Sequence, residues 1–121
     1  MPRADDPKPY DLEDRTFNFV KASRAFVKRL PRTIANVEDA KQFIRASGSI
    51  GANYIEANES IGKKDFIMKI KTCRREAKES GYWLRLLDCN GAELDSARAK
   101  LLIEARELTS IFGAIVRKTE R

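Results

Sequence analysis

The feature that most constrains this chain is a run of apolar and small residues at alternating spacings of four and three in its second half. Its members are Phe66, Ile70, Cys73, Ala77, Ser80, Leu84 and Leu87. Residues three and four apart share one face of an α-helix, so this spacing predicts one long amphipathic helix. We predict that the helix covers residues 63–89 and stops at Asn90-Gly91, a pair that typically ends helices.

Two more segments, near the two ends of the chain, carry apolar stripes with a period of seven. In the first, Leu12, Phe19 and Phe26 predict a helix over residues 12–30. Pro31 ends it, because the residue before a proline avoids the helical region, and two acids are suited to its N-cap and first turn. These acids are Asp11 and Asp14. The last helix is predicted over residues 93–118, on the line Leu94, Leu101, Leu108 and Ile115.

The remaining segment predicts a helix over residues 37–59, with Asn36 as its N-cap. Two adjacent apolar lines make its face broad enough to touch more than one neighbour. The lines are Val37, Ala40, Ile44, Ser47, Gly51 and Tyr54, and beside them Phe43, Ile50 and Ala57. Four amphipathic helices joined by short turns predict an all-α fold, an antiparallel up-down-up-down four-helix bundle formed by residues 11–121.

Residues 1–10 are mostly polar and contain three prolines, so we expect a disordered arm there. The arm has no apolar core of the kind that a secretory signal needs, and no run in the chain approaches the ~20 apolar residues of a membrane span. We therefore expect a cytoplasmic protein without membrane contact. Cys73 and Cys89 lie on roughly opposite sides of one predicted helix, so we expect both to be reduced thiols.

The residue types argue against catalysis. The chain has no histidine, which removes the usual general base and the commonest metal ligand. The cysteines lack zinc-site spacing, and the glycines match no phosphate-binding loop. The one set of carboxylates that could hold two metal ions in a bundle lacks the histidines such sites use. It consists of Glu56, Glu59, Glu76 and Glu79. We expect no enzymatic activity, no cofactor and no metal.

The formal net charge is +6, which fits nucleic acid or another acidic partner and fits equally a lysine-rich surface. On the third predicted helix, basic residues recur every seven positions and are widened by two arginines. The candidate nucleic-acid-binding residues are Lys64, Lys71, Arg74, Arg75, Lys78 and Arg85, with Arg24 and Lys28 from the first helix. If both helices lie on one side of an assembly, they form a continuous surface for phosphates. A solvated helix face is the alternative.

A run of small residues interrupts the second predicted helix. It consists of Ala46-Ser47-Gly48-Ser49 and Gly51-Ala52. Each glycine inside a helix costs about 1 kcal/mol relative to alanine, so the run favours a position where another helix packs closely. A backbone surface opened for a partner is the alternative.

A set of polar residues borders the apolar lines of the second and third helices. It consists of Ser49, Asn53, Glu56, Glu76 and Glu79, with Arg45 and Arg74 as residues that could complete a network. Buried polar networks can fix helix register and assembly state, so we favour a structural role. A binding site is the alternative. Four large residues off the core lines favour self-association over scattered surface positions: Tyr82, Trp83, Leu102 and Ile103.

The middle of the sequence resembles the small bacterial four-helix bundle protein family encoded in intervening sequences of 23S ribosomal RNA genes. That family includes the accessory variability proteins of diversity-generating retroelements. The resemblance covers about residues 17–115, and Gly81 stands where a bulkier residue is more usual. It is carried by Ser49, Ile50, Ala52, Asn53, Glu56, Ala57, Lys63, Asp65, Phe66, Glu76, Ala77, Glu79, Tyr82, Trp83 and Leu84.

The resemblance implies a ring-like homopentamer of up-down bundles without known enzymatic activity. It also implies that the retroelement members bind a reverse transcriptase and nucleic acid through a basic surface. The main hypothesis is therefore a non-catalytic homo-oligomer that binds nucleic acid, structured RNA in particular, through phosphate contacts. The second is a protein-interaction scaffold, such as a reverse-transcriptase accessory subunit, which would bind bare nucleic acid poorly.

Overall fold

The computed structural model describes residues 9–121, and these residues form four α-helices. They are α1 (Pro9–Val27), α2 (Ile34–Asn58), α3 (Lys63–Leu86) and α4 (Ala92–Glu120). Each helix packs on its neighbour in the chain, and α4 also packs on α1, so the helices form a closed square with α1 diagonal to α3. Because the connections are short, consecutive helices run antiparallel. The predicted all-α four-helix bundle is confirmed.

The bounds of α1 differ from the prediction at both ends. The helix begins at Pro9 rather than at Leu12, because a proline in the first helical turn lacks only an N–H that would have no partner there. Asp11 therefore lies in the first turn and is not the N-cap. The helix ends at Val27, and the N–H of Leu30 then bonds the Val27 carbonyl oxygen in a tight turn before the proline. Residues 1–8 of the predicted arm lie outside the described residues.

The start of α2 and the end of α3 were also predicted wrongly, and one side chain accounts for both. The N-cap of α2 is Thr33, whose side chain accepts a hydrogen bond from the N–H of Asn36. Asn36 is instead buried, and its Oδ1 accepts the N–H of Asp88 at 2.9 Å. That bond takes the chain out of the helical ladder, so α3 ends at Leu86 rather than at Cys89. The predicted turn at Gly91 is present, with φ +125°, a conformation that glycine adopts without strain.

The predicted core stripes lie inside the square. In α1 the residues at 12, 19 and 26 are buried, and in the stripe along α3 and its C-cap Leu87 every member is buried except Phe66, which is half-buried. The Phe19 and Phe43 rings meet edge to face, with their centroids 6.4 Å apart. Burial raises the pKa of the Cys73 thiol to about 12, which makes it an unreactive core residue. Both cysteines are free thiols, as predicted.

Helix α1 packs closely against the small residues of α2. A Cβ placed on Gly51 would lie 2.9 Å from Thr16 Oγ1, whereas one placed on Gly48 would lie 3.8 Å from Val20 Cγ2. Close packing of a neighbouring helix is thus the observed reason for a glycine at position 51. Over residues 9–121, no helix combines the length and the apolar character needed to cross a membrane.

Candidate nucleic-acid interface

Three of the four heptad-spaced basic residues of α3 lie along its edge with α4. Lys78 and Arg85 line a groove between the two helices. Lys71, two turns before Lys78, reaches across the same edge, with its Nζ 3.4 Å from Glu120 Oε2. Since the spacing of seven keeps these residues on one face of α3, packing against α4 turns the strip into one wall of a groove.

The groove between α3 and α4 has a volume of about 480 Å³ and presents basic side chains without acidic ones. Its lining residues are Ala77, Lys78, Gly81, Tyr82, Arg85, Leu102, Ala105, Arg106, Thr109 and Ser110. Within residues 9–121, none of its three cations forms an ion pair. The other polar side chains that line it are two hydroxyls and a phenol. The groove therefore concentrates uncompensated positive charge.

Gly81 sets the depth of this α3–α4 groove. A Cβ on Gly81 would lie 3.4 Å from Leu102 Cδ1 and 4.0 Å from Ala105 Cβ. The missing side chain lets Leu102 of α4 cover the core and leaves the space above it open. A bulkier residue at position 81 would fill part of the groove.

Tyr82 stands beside the cations of the α3–α4 groove as an exposed aromatic ring. Its ring packs edge-on against Trp83, with the centroids 5.1 Å apart, and Trp83 in turn packs against the core. Leu102 is also packed against the core. Of the four residues predicted to cover a second surface, Tyr82 and Ile103 are exposed, and the other two are largely accounted for by packing inside the chain.

The other predicted basic residues of α3 lie at or beyond the groove's margin. Arg75 and Lys64 are exposed and, in the described part of the chain, have no acidic partner. Arg74 is half-buried and lies towards α4, where a Cβ on Gly113 would lie 3.7 Å from Arg74 Cδ. The sequence had suggested that Arg74 could complete the network between α2 and α3. It does not, because its side chain lies towards α4.

Arg24 of α1 and Lys28, just after the end of α1, are on the other side of the bundle. Lys28 lines a groove between α1 and α2, together with Arg32 and Lys41. Because α1 and α3 are diagonal and do not pack on each other, the basic residues of the two helices do not form one continuous surface within a chain.

The predicted polar network is divided between separate places. Arg45 of α2 donates to two glutamates of α3, with Nη1 3.1 Å from Glu76 Oε2 and Nη2 3.0 Å from Glu79 Oε2. Burial raises the pKa of the Glu76 carboxyl, and its hydrogen bond with Glu79 raises it further, against the opposing charge of Arg45.

The other members of the predicted network lie elsewhere on α2. Glu56 pairs with Lys69 of α3, with Oε1 and Nζ 3.0 Å apart. Asn53 Nδ2 donates to the Ser49 carbonyl oxygen within α2, at 2.8 Å. Three ion-pair contacts thus join α2 and α3, and the role of these residues in fixing register stays a prediction. In the described chain, no three of the carboxylates and cysteines are grouped so that they could hold a metal ion.

Sequence reasoning missed the contribution of α4 to the groove, namely Arg106, Thr109 and Ser110. A partial signal exists, because Arg106 lies between two glutamates that could have neutralised it. Both are drawn to α1 instead, where Arg15 Nη2 is 2.7 Å from an oxygen of Glu104 and of Glu107. These hydrogen bonds, Glu104 foremost, raise the pKa of the Arg15 guanidinium. The packing of α4 against α1 therefore explains why these two glutamates pair with Arg15 and not with Arg106.

Four packed helices with an antiparallel course define this molecule as a four-helix bundle protein. The family model of the 23S rRNA-intervening sequence protein matches residues 10–113. The chain belongs to that family, as its sequence resemblance implied.

A solved structure supports the same relationship. The chain is similar to a protein of unknown function from the S23 ribosomal protein family of Bacteroides thetaiotaomicron, with 25% sequence identity and a TM-score of 0.71. The match covers 87% of this chain and 97% of that one. No curated protein matches this chain.

Proposed function

We propose that this protein is a non-catalytic bundle that binds structured RNA in the cytoplasm through the groove between α3 and α4. The observation that carries the proposal is the set of three cations, Lys78, Arg85 and Arg106, in one groove whose lining has no acid. The family's description connects it with 23S rRNA, and the similar solved structure is assigned to a ribosomal protein family.

The chemistry of the groove suits a phosphate backbone. An arginine guanidinium can bind phosphate oxygens through two parallel hydrogen bonds, and a lysine ammonium acts as a compact charge. Lys78 and Arg85 are two helical turns apart, about 10 Å along the axis, so they contact different phosphates. Each contact releases counterions from the nucleic acid, which makes binding favourable at low salt.

Tyr82 adds a reason for RNA with unpaired bases. Proteins recognise RNA loops and bulges by stacking splayed bases on aromatic side chains, and each such stack is worth about 1–3 kcal/mol. Tyr82 is exposed beside Lys78 and Arg85. A hairpin can place stem phosphates on the cations and a loop base on the ring.

The absence of catalysis is part of the proposal, and the lining of the α3–α4 groove supports it. The groove offers no carboxylate, thiol or imidazole that could serve as a general base. The hydroxyls of Thr109 and Ser110 therefore have no base beside them to make them nucleophiles. The Ser110 hydroxyl can instead donate a hydrogen bond to a phosphate oxygen, whereas the Thr109 hydroxyl donates to the Ala105 carbonyl oxygen at 2.7 Å.

Self-association is also part of the proposal. Phe17 is 59% exposed and Ile55 49% exposed, and both line a groove of about 380 Å³ between α1 and α2 that also includes Val20. Exposed apolar patches mark interaction sites, and this one lies away from the cations of α3. We assign it to a second copy of the chain, with five copies as the number that the family resemblance implies.

The test of RNA binding is a charge-neutralising variant of the groove, K78Q/R85Q/R106Q. Its binding to a fluorescent RNA hairpin should weaken at least tenfold at low salt. The slope of log affinity against log salt should fall by about 2 to 3, because each lost phosphate contact removes about 0.7 to 0.9. The variant should keep the helical circular-dichroism spectrum, since none of the three side chains forms an ion pair within residues 9–121.

A matched control removes the same charge from elsewhere. The variant K63Q/K100Q/R121Q changes three exposed cations that do not line the α3–α4 groove, and its affinity should stay within about threefold of the wild type. Equal losses in the two variants would show that net charge, not this groove, accounts for binding. Absence of low-salt binding by the unmodified protein would refute the proposal.

A protein-interaction scaffold, for example an accessory subunit of a reverse transcriptase, is the second candidate. It is favoured by Tyr82 next to Arg85 and Arg106, because tyrosine and arginine are enriched at the energetic centres of protein interfaces. In that case an acidic or RNA-bound protein partner should co-purify through this face. Bare hairpins would then bind poorly to the isolated protein.

A further inference from the structure

We infer that each protein chain holds two RNA segments at once, one on each of two opposite sides of the bundle, and so bridges them. This inference rests on the proposed function of the α3–α4 groove. The second site is the groove between α1 and α2 that Lys28 lines, near the end of α1. The groove assigned above to a second copy lies at the other end of the same two helices.

The second groove has a volume of about 350 Å³, with an apolar floor and a basic rim. Its lining residues are Val27, Lys28, Leu30, Pro31, Arg32, Asn36, Val37, Ala40, Lys41 and Ile44. Lys41 pairs with Glu38 at 3.1 Å, whereas Lys28 and Arg32 form no ion pair with any residue from 9 to 121. Arg24, one turn before Lys28, is likewise exposed and unpaired in that range. No acid lines this groove, so it shares the chemistry of the first.

The two grooves lie on opposite sides of the molecule. In the closed order α1, α2, α3, α4, the side formed by α1 and α2 faces away from the side formed by α3 and α4. With about 10 Å between packed helix axes, and side chains on both surfaces, roughly 20 Å of protein separates two segments bound there.

The side between α2 and α3 interrupts the positive charge. Arg45 is bound by Glu76 and Glu79, and Lys69 is bound by Glu56. Paired cations attract phosphate weakly, because the acid cancels the field. A strand bound in one groove therefore has no track of free cations to follow across this side.

The side between α1 and α4 is interrupted in the same way. Arg15 is bound by Glu104 and Glu107, and Arg29 is bound by Glu93 at 3.0 Å. A groove on this side includes the acids Asp11 and Asp14. Grooves with unpaired cations and no acid thus lie on two opposite sides. On the two sides between them most cations are paired, and Lys100, which has no ion pair among the described residues, shares its groove with Asp11, Asp14 and Glu104. This arrangement fits two separate segments better than one wrapped strand.

The test uses the full chain and measures how many RNA hairpins each chain binds and whether one chain holds two of them together. Titration of a short RNA hairpin, at low salt and above the weaker dissociation constant, should reach two hairpins per chain for the wild type and for K63Q/K100Q/R121Q. It should reach one per chain for R24Q/K28Q/R32Q and one for K78Q/R85Q/R106Q. Counting per chain keeps the result independent of the number of copies in an oligomer.

Bridging is measured as energy transfer between donor-labelled and acceptor-labelled hairpins, with every protein also carrying F17Q/I55Q, which removes the proposed contact between copies, so that transfer between neighbouring chains does not contribute. The wild type and the control should give transfer that disappears with excess protein, and both groove variants should lose most of it while still binding one hairpin. Light scattering should show the same assembly for all four proteins. Two hairpins per chain, or undiminished transfer, in R24Q/K28Q/R32Q would overturn the inference. Binding of one hairpin per wild-type chain overturns the inference alone, whereas no binding at all overturns the proposed function with it.

Discussion

Asn36, in the first turn of α2, and Asp88, in the loop after α3, are joined by a reciprocal pair of hydrogen bonds at one end of the bundle. Asn36 Nδ2 donates to the Asp88 carbonyl oxygen, and Asn36 Oδ1 accepts the Asp88 N–H, both at 2.9 Å. The same Nδ2 also donates to the Pro31 carbonyl oxygen at 2.9 Å. One buried side chain, 2% exposed, thus ties the α1–α2 connection to the end of α3.

Asn36→Ala should lower the free energy of unfolding by about 2–4 kcal/mol. The change removes three hydrogen bonds and leaves part-buried backbone groups without partners, each costing about 1–3 kcal/mol. Urea unfolding followed by circular dichroism measures the loss. Asn18→Ala, at an exposed position of α1, is the matched control and should change stability by less than about 0.5 kcal/mol. Similar stabilities for the two variants would show that the loop tie contributes nothing.

Gly51→Ala and Gly48→Ala should have opposite effects on stability, although both replace a glycine inside α2. Alanine favours the helix by about 1 kcal/mol at either site. At position 48 the new Cβ meets only Val20 Cγ2, at 3.8 Å, so the gain should appear in full. At position 51 it would lie 2.9 Å from Thr16 Oγ1, and overpacking costs about 1–3 kcal/mol.

The measurement is urea unfolding of both variants alongside the wild type. Adding Thr16→Ala to Gly51→Ala removes the oxygen at 2.9 Å and should recover part of the loss. If both glycine variants are stabilised equally, close packing of α1 is not the reason for Gly51.

The stability of the bundle should depend on the protonation of Glu76. Glu76 is 4% exposed. In the folded protein the pKa of its carboxyl is raised, first by burial and second by its hydrogen bond with Glu79. Because the folded-state pKa lies above that of the unfolded chain, protonation favours folding. This contribution is present at acidic pH and is lost as the pH rises through the raised pKa.

Replacing the carboxyl by an amide removes that titration. Relative to wild type, Glu76→Gln should gain stability as the pH rises from about 4.5, near the unfolded-state pKa of a glutamate, to 8. Urea midpoints at several pH values measure the difference. Glu38→Gln, in an exposed pair with Lys41, should run parallel to wild type. A pH-independent difference between Glu76→Gln and wild type would contradict the assignment.

The proposed self-association should depend on Phe17 and Ile55. In F17Q/I55Q the molar mass from light scattering at micromolar concentration should fall towards that of one chain, while the helix content stays unchanged because both side chains are largely exposed. I34Q/I61Q alters two isoleucines that are 87% and 93% exposed elsewhere and should keep the wild-type mass. A wild-type protein that is monomeric at this concentration would contradict the proposed self-association.

The candidate site shows which residues the periodicity of the sequence can place together and which it cannot. Lys78 and Arg85 could be placed together from the sequence, because a spacing of seven puts them on one helix face wherever that helix lies. Arg106 could not be added to them, since its place depends on how α4 sits against α3. Glu104 bonds Arg15, which is 89 positions away in the chain, and so does not neutralise Arg106.

What the sequence determined by itself is local. The recurrence of apolar residues at three and four positions specified four helices and the stripes that they bury, because helix geometry relates nearby residues only. Tertiary structure decided everything that joins distant segments. It placed Arg74 towards α4, put Lys28 and Lys78 on opposite sides, and ended α3 at the bond between Asn36 and Asp88. Such relationships depend on the packing of whole helices, which the spacing of residues along one helix does not encode.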